Sequence, residues 1–295
     1  MNAAQASAET AAAWPYRERA MRFGAHGGLV GVLTEPAPDK AIAGAPVVLL
    51  TNVGLNHHVG PFRVWVELAR KLAGLGFTTL RFDSAGLGDS EPRRETVSDI
   101  ERAVLDLNDA AAMLGERTGA TRFVPMALCS GVDAAHRFSV RNTNVAGAVF
   151  LDGYAYRTAG FRLRYVTRRW LQLARWRRFV RRRWIYKWAA ATKGVRETGE
   201  VDEIFVRGYP PLEELAGDFD AMVARGTKLF FAFTGEVDHS YNGKNQLFEM
   251  FPNLASSKAV SNAYYYAADH LFSFGRDRAL LIEHLAAWMS ASFPS

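Results

Sequence analysis

The chain contains one cysteine, Cys129, which follows an apolar strand-like segment and precedes a helix-like one. A nucleophile at such a strand-to-helix turn takes a strained backbone conformation, and the residues two before and two after it must be small. These residues are Ala127 and Gly131 if Cys129 is the nucleophile. If Ser130 were the nucleophile, the same places would hold a leucine and a valine. The spacing favours Cys129, although a free cysteine at a strand end is often a small buried hydrophobe.

A thiol nucleophile of this kind needs a histidine base and a carboxylate that orients the base, each placed after a later strand. Asp238 follows one strand-like run as part of Gly-Glu-Val-Asp-His, and His270 follows the next as part of Asp-His-Leu-Phe. This order predicts that Asp238 accepts a hydrogen bond from His270 and that His270 takes the thiol proton. Glu236 is the alternative acid, and His239 is interpreted as a neighbour of the acid.

An acyl group attacked by a thiolate develops negative charge on its carbonyl oxygen, which needs backbone N–H donors. The N–H of Ser130, directly after the nucleophile, is one expected donor. The second is expected from the loop after the central strand, at Val53 or Gly54. Asn56 and His57 lie just beyond and are candidates to line the substrate entrance, although a polar loop often only joins a strand to a helix.

Alternating strand-like and helix-like segments are expected to position these groups. Continuous apolar runs indicate strands buried on both faces, and three- and four-residue spacing of apolar residues indicates helices. The strand-like segments are 21–23, 29–34, 46–50, 78–82, 123–128, 145–151, 228–234 and 260–266, and the helix-like ones are 65–76, 96–114, 246–251 and 278–289. Thr96 with Asp99 is the expected cap of the second helix. The alternation predicts a mostly parallel sheet with helices on both faces.

Length and composition limit the organisation of the chain. It has 295 residues, of which 49% are hydrophobic and 22% are charged, as in an ordinary globular protein. Residues 1–20 are polar and Ala-rich and are expected to be disordered. The alternation stops over residues 153–226, which are expected to form a mainly helical cap inserted into a core of residues 21–152 and 227–295, because a structureless loop of that length is rare.

Positive charge is concentrated in the cap. The net charge is +6, but residues 157–187 contain eleven Arg, one Lys and no acidic residue, which leaves 24 basic and 30 acidic residues elsewhere. Tryptophans and arginines recur there at helical spacing, and Arg169 and Trp170 are candidates to contact substrate. Such a helix can be a cap with solvated arginines, a site for an anionic acyl substrate or one carried on coenzyme A or acyl carrier protein, or a peripheral membrane contact.

Several classes of protein are disfavoured by the sequence. No segment has the roughly 18 consecutive apolar residues of a spanning helix, and the N-terminal residues lack a basic stretch followed by an apolar one, so a cytoplasmic location is expected. A single cysteine excludes an internal disulfide and a cysteine-rich metal site. Nucleic-acid binding is not expected because no recognition motif accompanies the basic segment.

Together these residues resemble the α/β-hydrolase superfamily over about residues 46–272, apart from the cap. The resemblance includes Arg-Phe-Asp-Ser-Ala-Gly-Leu-Gly-Asp-Ser at 81–90, in which Gly86 and Gly88 allow a tight turn after the fourth strand. The Leu-Cys-Ser-Gly elbow and Gly-Pro-Phe-Arg at 60–63 look like cysteine-nucleophile hydrolases found with exosortase-associated exopolysaccharide and natural-product gene sets. Dienelactone hydrolases are similar in placing a cysteine at the elbow.

The resemblance implies the α/β-hydrolase fold and a hydrolase that cleaves an ester or thioester through an acyl-cysteine intermediate, with no metal or redox cofactor. An acyltransferase using the same Cys-Asp-His triad is one alternative. A non-catalytic binding protein on a hydrolase scaffold is another, and it is disfavoured because an idle site has little reason to keep three correctly placed residues. Fold does not dictate substrate.

Overall fold

An eight-stranded sheet forms the centre of the computed structural model, which describes residues 15–171 and 209–294. The strands lie in the order β1-β2-β4-β3-β5-β6-β7-β8. β1 and β2 are antiparallel to each other, β2 is antiparallel to β4, and the remaining neighbours are parallel. The strands are β1 Tyr16–Phe23, β2 Leu29–Pro36, β3 Val47–Leu50, β4 Thr79–Phe82, β5 Phe123–Leu128, β6 Gly147–Leu151, β7 Lys228–Thr234 and β8 Val260–Tyr265.

Helices cover both faces of this sheet. They are α1 Val64–Gly74, α2 Asp99–Thr118, α3 Gly131–Arg141, α4 Ala159–Leu171, α5 Leu212–Ala224, α6 Gln246–Met250 and α7 Gly275–Ser292. α1 and α7 share one apolar cluster with Val48 and Leu50 of β3, whereas α2 and α3 pack in a second cluster with Leu49. Because successive strand residues point to opposite faces, β3 is apolar throughout, as the sequence predicts for a central strand.

The element order and the predicted antiparallel opening pair are confirmed, with two local differences. β1 begins at Tyr16, so residues 16–20 belong to the sheet and are not part of a disordered N terminus. α2 is capped by Ser98, whose hydroxyl accepts a hydrogen bond from the N–H of Glu101, and not by Thr96. Serine is a strong N-cap residue because its side chain satisfies an N–H that lacks a partner within the helix.

The region predicted as a single cap, 153–226, consists of parts with different locations in the structure. α4 follows β6 and contacts α6. α5 instead buries Leu215, Phe219 and Met222 in an apolar cluster with Phe150 of β6, so it belongs to the core. The intervening basic and Trp-rich stretch, 172–208, lies outside the described residues. Within 15–171 and 209–294, no helix is long and apolar enough to cross a membrane.

Candidate active site

Cys129 lies at a sharp turn between β5 and α3, as the sequence predicts for a nucleophile. Its φ is 58°, in the left-handed region that non-glycine residues rarely adopt. A side chain on Gly131 would place its Cβ 2.4 Å from the carbonyl oxygen of Asn52, so the turn requires the glycine. The half-buried thiol precedes the first turn of α3, where the positive end of the helix dipole favours a thiolate.

Substitution of Gly131 tests the packing of this turn. Gly131→Ala is expected to lower the free energy of unfolding by about 2 kcal/mol or more, because backbone and side-chain atoms of the loop after β3 must shift to admit the methyl group. Gly217→Ala in α5 is the matched control, since its Cβ meets no atom within 4 Å, and it should be stabilising by about 0.5–1 kcal/mol. Urea unfolding measures both, and equal effects of the two substitutions would contradict the close packing at Gly131.

His270 connects the thiol to a buried carboxylate. Its ring hydrogen bonds on one side with the Cys129 side chain, and its Nδ1 lies 2.8 Å from Oδ2 of Asp152. Asp152 directly follows β6, with a fully buried side chain that also accepts hydrogen bonds of 2.7 Å from the N–H and the hydroxyl of Thr234. These bonds fix the carboxylate and leave Nε2 of the imidazole for the thiol.

The prediction that Asp238 orients His270 is corrected by this geometry, because Asp152 occupies that position. Asp238 is exposed and ends the short 3₁₀ turn Gly235–Val237. Glu236, the alternative acid, accepts a hydrogen bond of 2.5 Å from the backbone N–H of His270 and does not pair with the ring. His239 accepts a hydrogen bond from Arg157 through its backbone carbonyl. Asp152 meets the same sequence criterion as Asp238, since it is an aspartate at the end of a strand.

Electrostatics at His270 favour its charged form. The hydrogen bond to Asp152, followed by the one to Cys129, raises the pKa of His270 from its ordinary value near 6.5 to about 10, although burial acts in the opposite direction. An imidazolium next to a thiol stabilises the thiolate. The site therefore has the arrangement of a thiolate–imidazolium pair supported by a buried carboxylate.

Ser130 and Gly54, two of the predicted oxyanion donors, are in contact at the elbow. Ser130 is the N-cap of α3, so its N–H is among the amides that have no partner within the helix. The N–H of Gly54 donates a hydrogen bond of 3.2 Å to Oγ of Ser130, which holds the loop after β3 against the elbow. Val53 pairs with Asn56 in an isolated antiparallel bridge, in which its carbonyl oxygen accepts a hydrogen bond of 3.0 Å from the N–H of Asn56. Of the two alternatives in this loop, Gly54 contacts the elbow through an N–H that already bonds to Ser130, and the choice of Val53 or Gly54 as the second donor stays a prediction.

Removal of the Ser130 hydroxyl is expected to separate oxyanion stabilisation from thiol reactivity. Ser130→Ala should lower kcat of an acyl-transfer reaction about 10-fold, since the loop that carries Gly54 loses its contact with the elbow. The rate at which iodoacetamide alkylates Cys129 should be unchanged, because that reaction develops no oxyanion. Ser130→Thr keeps the hydroxyl and should restore kcat. An unchanged or higher kcat in Ser130→Ala would show that the hydroxyl instead competes for the N–H of Gly54.

A buried polar network that the sequence did not reveal supports this loop. Asn52 donates hydrogen bonds to the carbonyl of Asn56 and to Asp83, and its side-chain oxygen accepts one from the N–H of Ser84. Asp83 is completely buried and also accepts hydrogen bonds from the backbone N–H and Nδ1 of His58. Burial, the largest single effect, raises the pKa of Asp83, but the hydrogen bonds from His58 and from the backbone N–H of Asp89 together outweigh it and leave the pKa below its ordinary value.

The glycine turn after β4 encloses the same carboxylate. Gly86 and Gly88 both have positive φ, and a Cβ on Gly88 would lie 2.3 Å from Oδ2 of Asp83. Among the described residues, His58, Asp83 and Asp89 have ligand atoms within 4.8 Å of one another, as a metal site requires. Both oxygens of Asp83 already accept hydrogen bonds, which fits a structural role of this group.

The four predicted substrate-binding residues lie in different surroundings. Asn56 helps to build the loop after β3, where its side-chain amide donates to the carbonyl of Val53. His57 is exposed and its ring lies 5.9 Å from that of His58. Arg169 and Trp170 lie on α4, and their side chains are outside the described part of the chain. Substrate contact by these four residues stays a prediction.

Comparisons with known proteins agree with the architecture. No protein-family model matches the chain, and no curated protein matches it. Among solved structures it is similar to an α/β serine hydrolase without a lid from Xanthomonas campestris, with 13% identity, a TM-score of 0.55 and coverage of 95% of this chain and 96% of that one. It is also similar to an esterase from Pyrococcus furiosus, with 14% identity, a TM-score of 0.57 and coverage of 95% and 92%.

A dienelactone hydrolase from Anabaena variabilis is a third similar structure, with 12% identity, a TM-score of 0.55 and coverage of 95% of this chain and 99% of that one. Identities this low establish similarity of fold. With the sheet order and the elbow described above, they show that the chain has the α/β-hydrolase fold.

Proposed function

We propose that the protein is a hydrolase that cleaves an ester or thioester through an acyl-cysteine intermediate on Cys129. The single observation that carries the proposal is the contact of His270 with both Cys129 and the buried carboxylate of Asp152. This arrangement provides a nucleophile, an acid and base, and a group that orients the base. The strained φ of Cys129 at the start of a helix supports the same role.

Acylation begins with attack of the Cys129 thiolate on the carbonyl carbon of the substrate. The Sγ–C bond forms while the π electrons move to the carbonyl oxygen, which accepts hydrogen bonds from the N–H of Ser130 and from the N–H of Val53 or Gly54. When the oxyanion collapses, the bond to the leaving group breaks and the leaving group takes the proton of Nε2 of His270. Asp152 holds the ring through Nδ1 during this transfer.

Deacylation uses the same groups in reverse. Once Cys129 is acylated, the thiolate that helps to raise the pKa of His270 is gone, so the pKa falls from about 10 and the neutral imidazole becomes accessible. Nε2 then takes a proton from water, and the hydroxide attacks the thioester carbonyl. Collapse of the second oxyanion breaks the C–Sγ bond, releases the carboxylic acid and regenerates the thiolate–imidazolium pair.

The class of substrate is inferred from the nucleophile and from the charge of the chain. Attack by a thiolate suits thioesters as well as esters, and the basic stretch 157–187 favours an anionic group such as coenzyme A or acyl carrier protein on the leaving side. Relation to exosortase-associated hydrolases, a peripheral membrane contact and a cytoplasmic location stay predictions.

Trapping of the acyl-enzyme tests the proposal. The full-length protein is mixed with 4-nitrophenyl esters and with acyl-coenzyme A thioesters, quenched in acid, and examined by intact mass with peptide mapping. We expect an acyl adduct on Cys129 and release of free acid. Transfer of the acyl group to an added alcohol or amine in place of water would support the acyltransferase hypothesis, and absence of any adduct or turnover would support the binding-protein hypothesis.

The pH dependence of acylation follows from the charge of His270. Because the imidazolium protonates the leaving group, the acylation rate is expected to fall about tenfold per pH unit above the raised pKa of about 10. Acylation by an alkyl ester, whose alkoxide leaving group must be protonated, is followed between pH 5 and 11 by acid quench and intact mass, with Cys129→Ala as the blank. A decline already centred near 6.5 would show that Asp152 and Cys129 do not stabilise the imidazolium.

A further inference from the structure

A cavity of about 510 Å³ lies beside the elbow, within the size range of small-molecule sites. Ser130 and Gly131, which follow Cys129 in the chain, form part of its wall. Gly54 contributes to the same wall and donates its N–H to the Ser130 hydroxyl. The other lining residues come from the loop after β3, the end of β4 and the glycine turn after it, and the helices α2 and α3. The cavity therefore adjoins Ser130 and Gly54, two of the candidate oxyanion donors.

The order of the strands places this cavity and His270 on opposite sides of Cys129. Cys129 follows β5, and the sheet continues on one side through β3 to β4 and on the other through β6 and β7 to β8. Asp152 and His270 follow β6 and β8, whereas the cavity is built from the loops after β3 and β4 with the helices α2 and α3. A leaving group that faces His270 directs the acyl group away from His270, toward the loops after β3 and β4 that build the cavity.

The cavity lining is suited to an uncharged chain. Apolar side chains come from both the glycine turn and α2, including Leu87, Ile100 and Ala103. The two lining arginines already form ion pairs, Arg93 with Asp106 and Arg102 with Asp99.

A third aspartate, Asp133, is buried in the first turn of α3 and also lines the cavity. Acidic groups in the lining therefore outnumber basic ones by one. A carboxylate or phosphate entering this space would lose hydration without gaining an uncommitted cation.

We propose that this cavity binds the acyl group of the substrate, and that it selects an uncharged, mainly apolar chain of up to medium length. This assignment rests on the proposed function of Cys129. It deepens that function by giving the two halves of the substrate different chemistry: a neutral acyl group on the side of α2, and a leaving group on the side of His270.

Narrowing of the cavity tests the assignment. Ala103→Phe directs a ring into the cavity from α2, and Ala112→Phe, on an exposed face of the same helix and outside the cavity lining, is the matched control. Ile100→Trp provides a second narrowing variant from the first turn of α2 in case the first does not fold, as judged by circular dichroism. The esters are 4-nitrophenyl acetate and octanoate.

We expect Ala103→Phe to lower kcat/KM for octanoate about 10-fold or more while acetate changes less than about twofold. Ala112→Phe should leave both values unchanged. Equal losses for the two esters, or no loss for either, in a folded narrowing variant would overturn the assignment.

A second readout does not depend on turnover. Alkylation of Cys129 displaces iodide from an iodoacetamide as the S–C bond forms, and its rate can be compared for iodoacetamide, N-hexyl-iodoacetamide and N-(5-carboxypentyl)-iodoacetamide. Wild type should react fastest with the hexyl reagent and about 10-fold more slowly with its carboxylate analogue, and Ala103→Phe should abolish the hexyl advantage.

The two readouts separate the two proposals. A hexyl advantage without ester or thioester turnover would overturn the hydrolase function, and the cavity would remain a binding site for an uncharged apolar chain. Turnover that depends on Cys129 but not on the length of the acyl chain would support the hydrolase function and overturn the assignment of the cavity.

Discussion

Replacement of Asp152 by asparagine is expected to lower kcat about 10³- to 10⁴-fold. The carboxylate accepts the Nδ1–H of His270, and an amide in its place would neither stabilise the imidazolium nor hold the tautomer that leaves Nε2 available to the thiol. Asp152 is also the largest contributor to the raised pKa of His270, so the pKa should fall well below 10 in the variant. Steady-state kinetics and the pH profile of acylation measure the two effects.

Asp238→Asn is the matched control, because it makes the same change at an exposed aspartate that likewise follows a strand. Its kcat should remain within about threefold of wild type. Thr234→Val should give an intermediate loss of about 10-fold, since it removes the hydroxyl that holds Asp152 but keeps the backbone N–H. A large loss in Asp238→Asn with normal activity in Asp152→Asn would contradict the assignment of the acid.

Replacement of Cys129 by alanine is expected to abolish turnover, with a loss on the order of 10⁴-fold or more in kcat. Without Sγ there is no nucleophile, and the remaining N–H groups can stabilise only the attack of water. Cys129→Ser keeps a nucleophilic atom, but a hydroxyl is far less acidic than a thiol, so activity should remain at least about 10²-fold below wild type. Both variants should be as stable to urea as wild type within about 1 kcal/mol.

Intact-mass analysis after mixing with substrate provides the control for this pair of variants. Acyl adducts should disappear in Cys129→Ala and appear on the new hydroxyl, slowly, in Cys129→Ser. Retention of turnover in Cys129→Ala would exclude the acyl-cysteine mechanism.

Much of the fold could be predicted from the sequence because parallel strands buried on both faces give continuous apolar runs. β3, β5 and β7 are of this kind. The elbow was also predictable, because only one of its two alternative registers places small residues on both sides of the nucleophile. The structure adds the reason: Gly131 packs against the backbone of the loop after β3.

The acid of the site could not be selected from the sequence, because two aspartates satisfy the same rule. Asp152 and Asp238 both lie between the nucleophile and the histidine, and both come after a strand. The choice depends on which strand end faces His270 and on which carboxylate receives local hydrogen bonds. Thr234 supplies those bonds to Asp152 from the neighbouring strand, and such a contact between distant residues leaves no periodic signal.

The limits of the cap were misplaced for a related reason. α5 is acidic at its start and amphipathic like any surface helix, so the sequence does not show which surface its apolar face contacts. Only the packing of Phe219 against Phe150 and Phe231 assigns the helix to the core.

The most direct test of the central claim, a thiolate at Cys129 activated by His270, is the rate of iodoacetamide alkylation against pH for wild type and His270→Ala. With one cysteine in the chain, intact mass reports the reaction at that residue alone. We predict rapid labelling of wild type with a midpoint well below the value of about 8.5 of an ordinary thiol, and a shift of the midpoint to about 8.5 or higher in His270→Ala. Identical profiles for the two proteins, or no labelling of wild type below pH 9, would contradict the account and identify Cys129 as a structural residue.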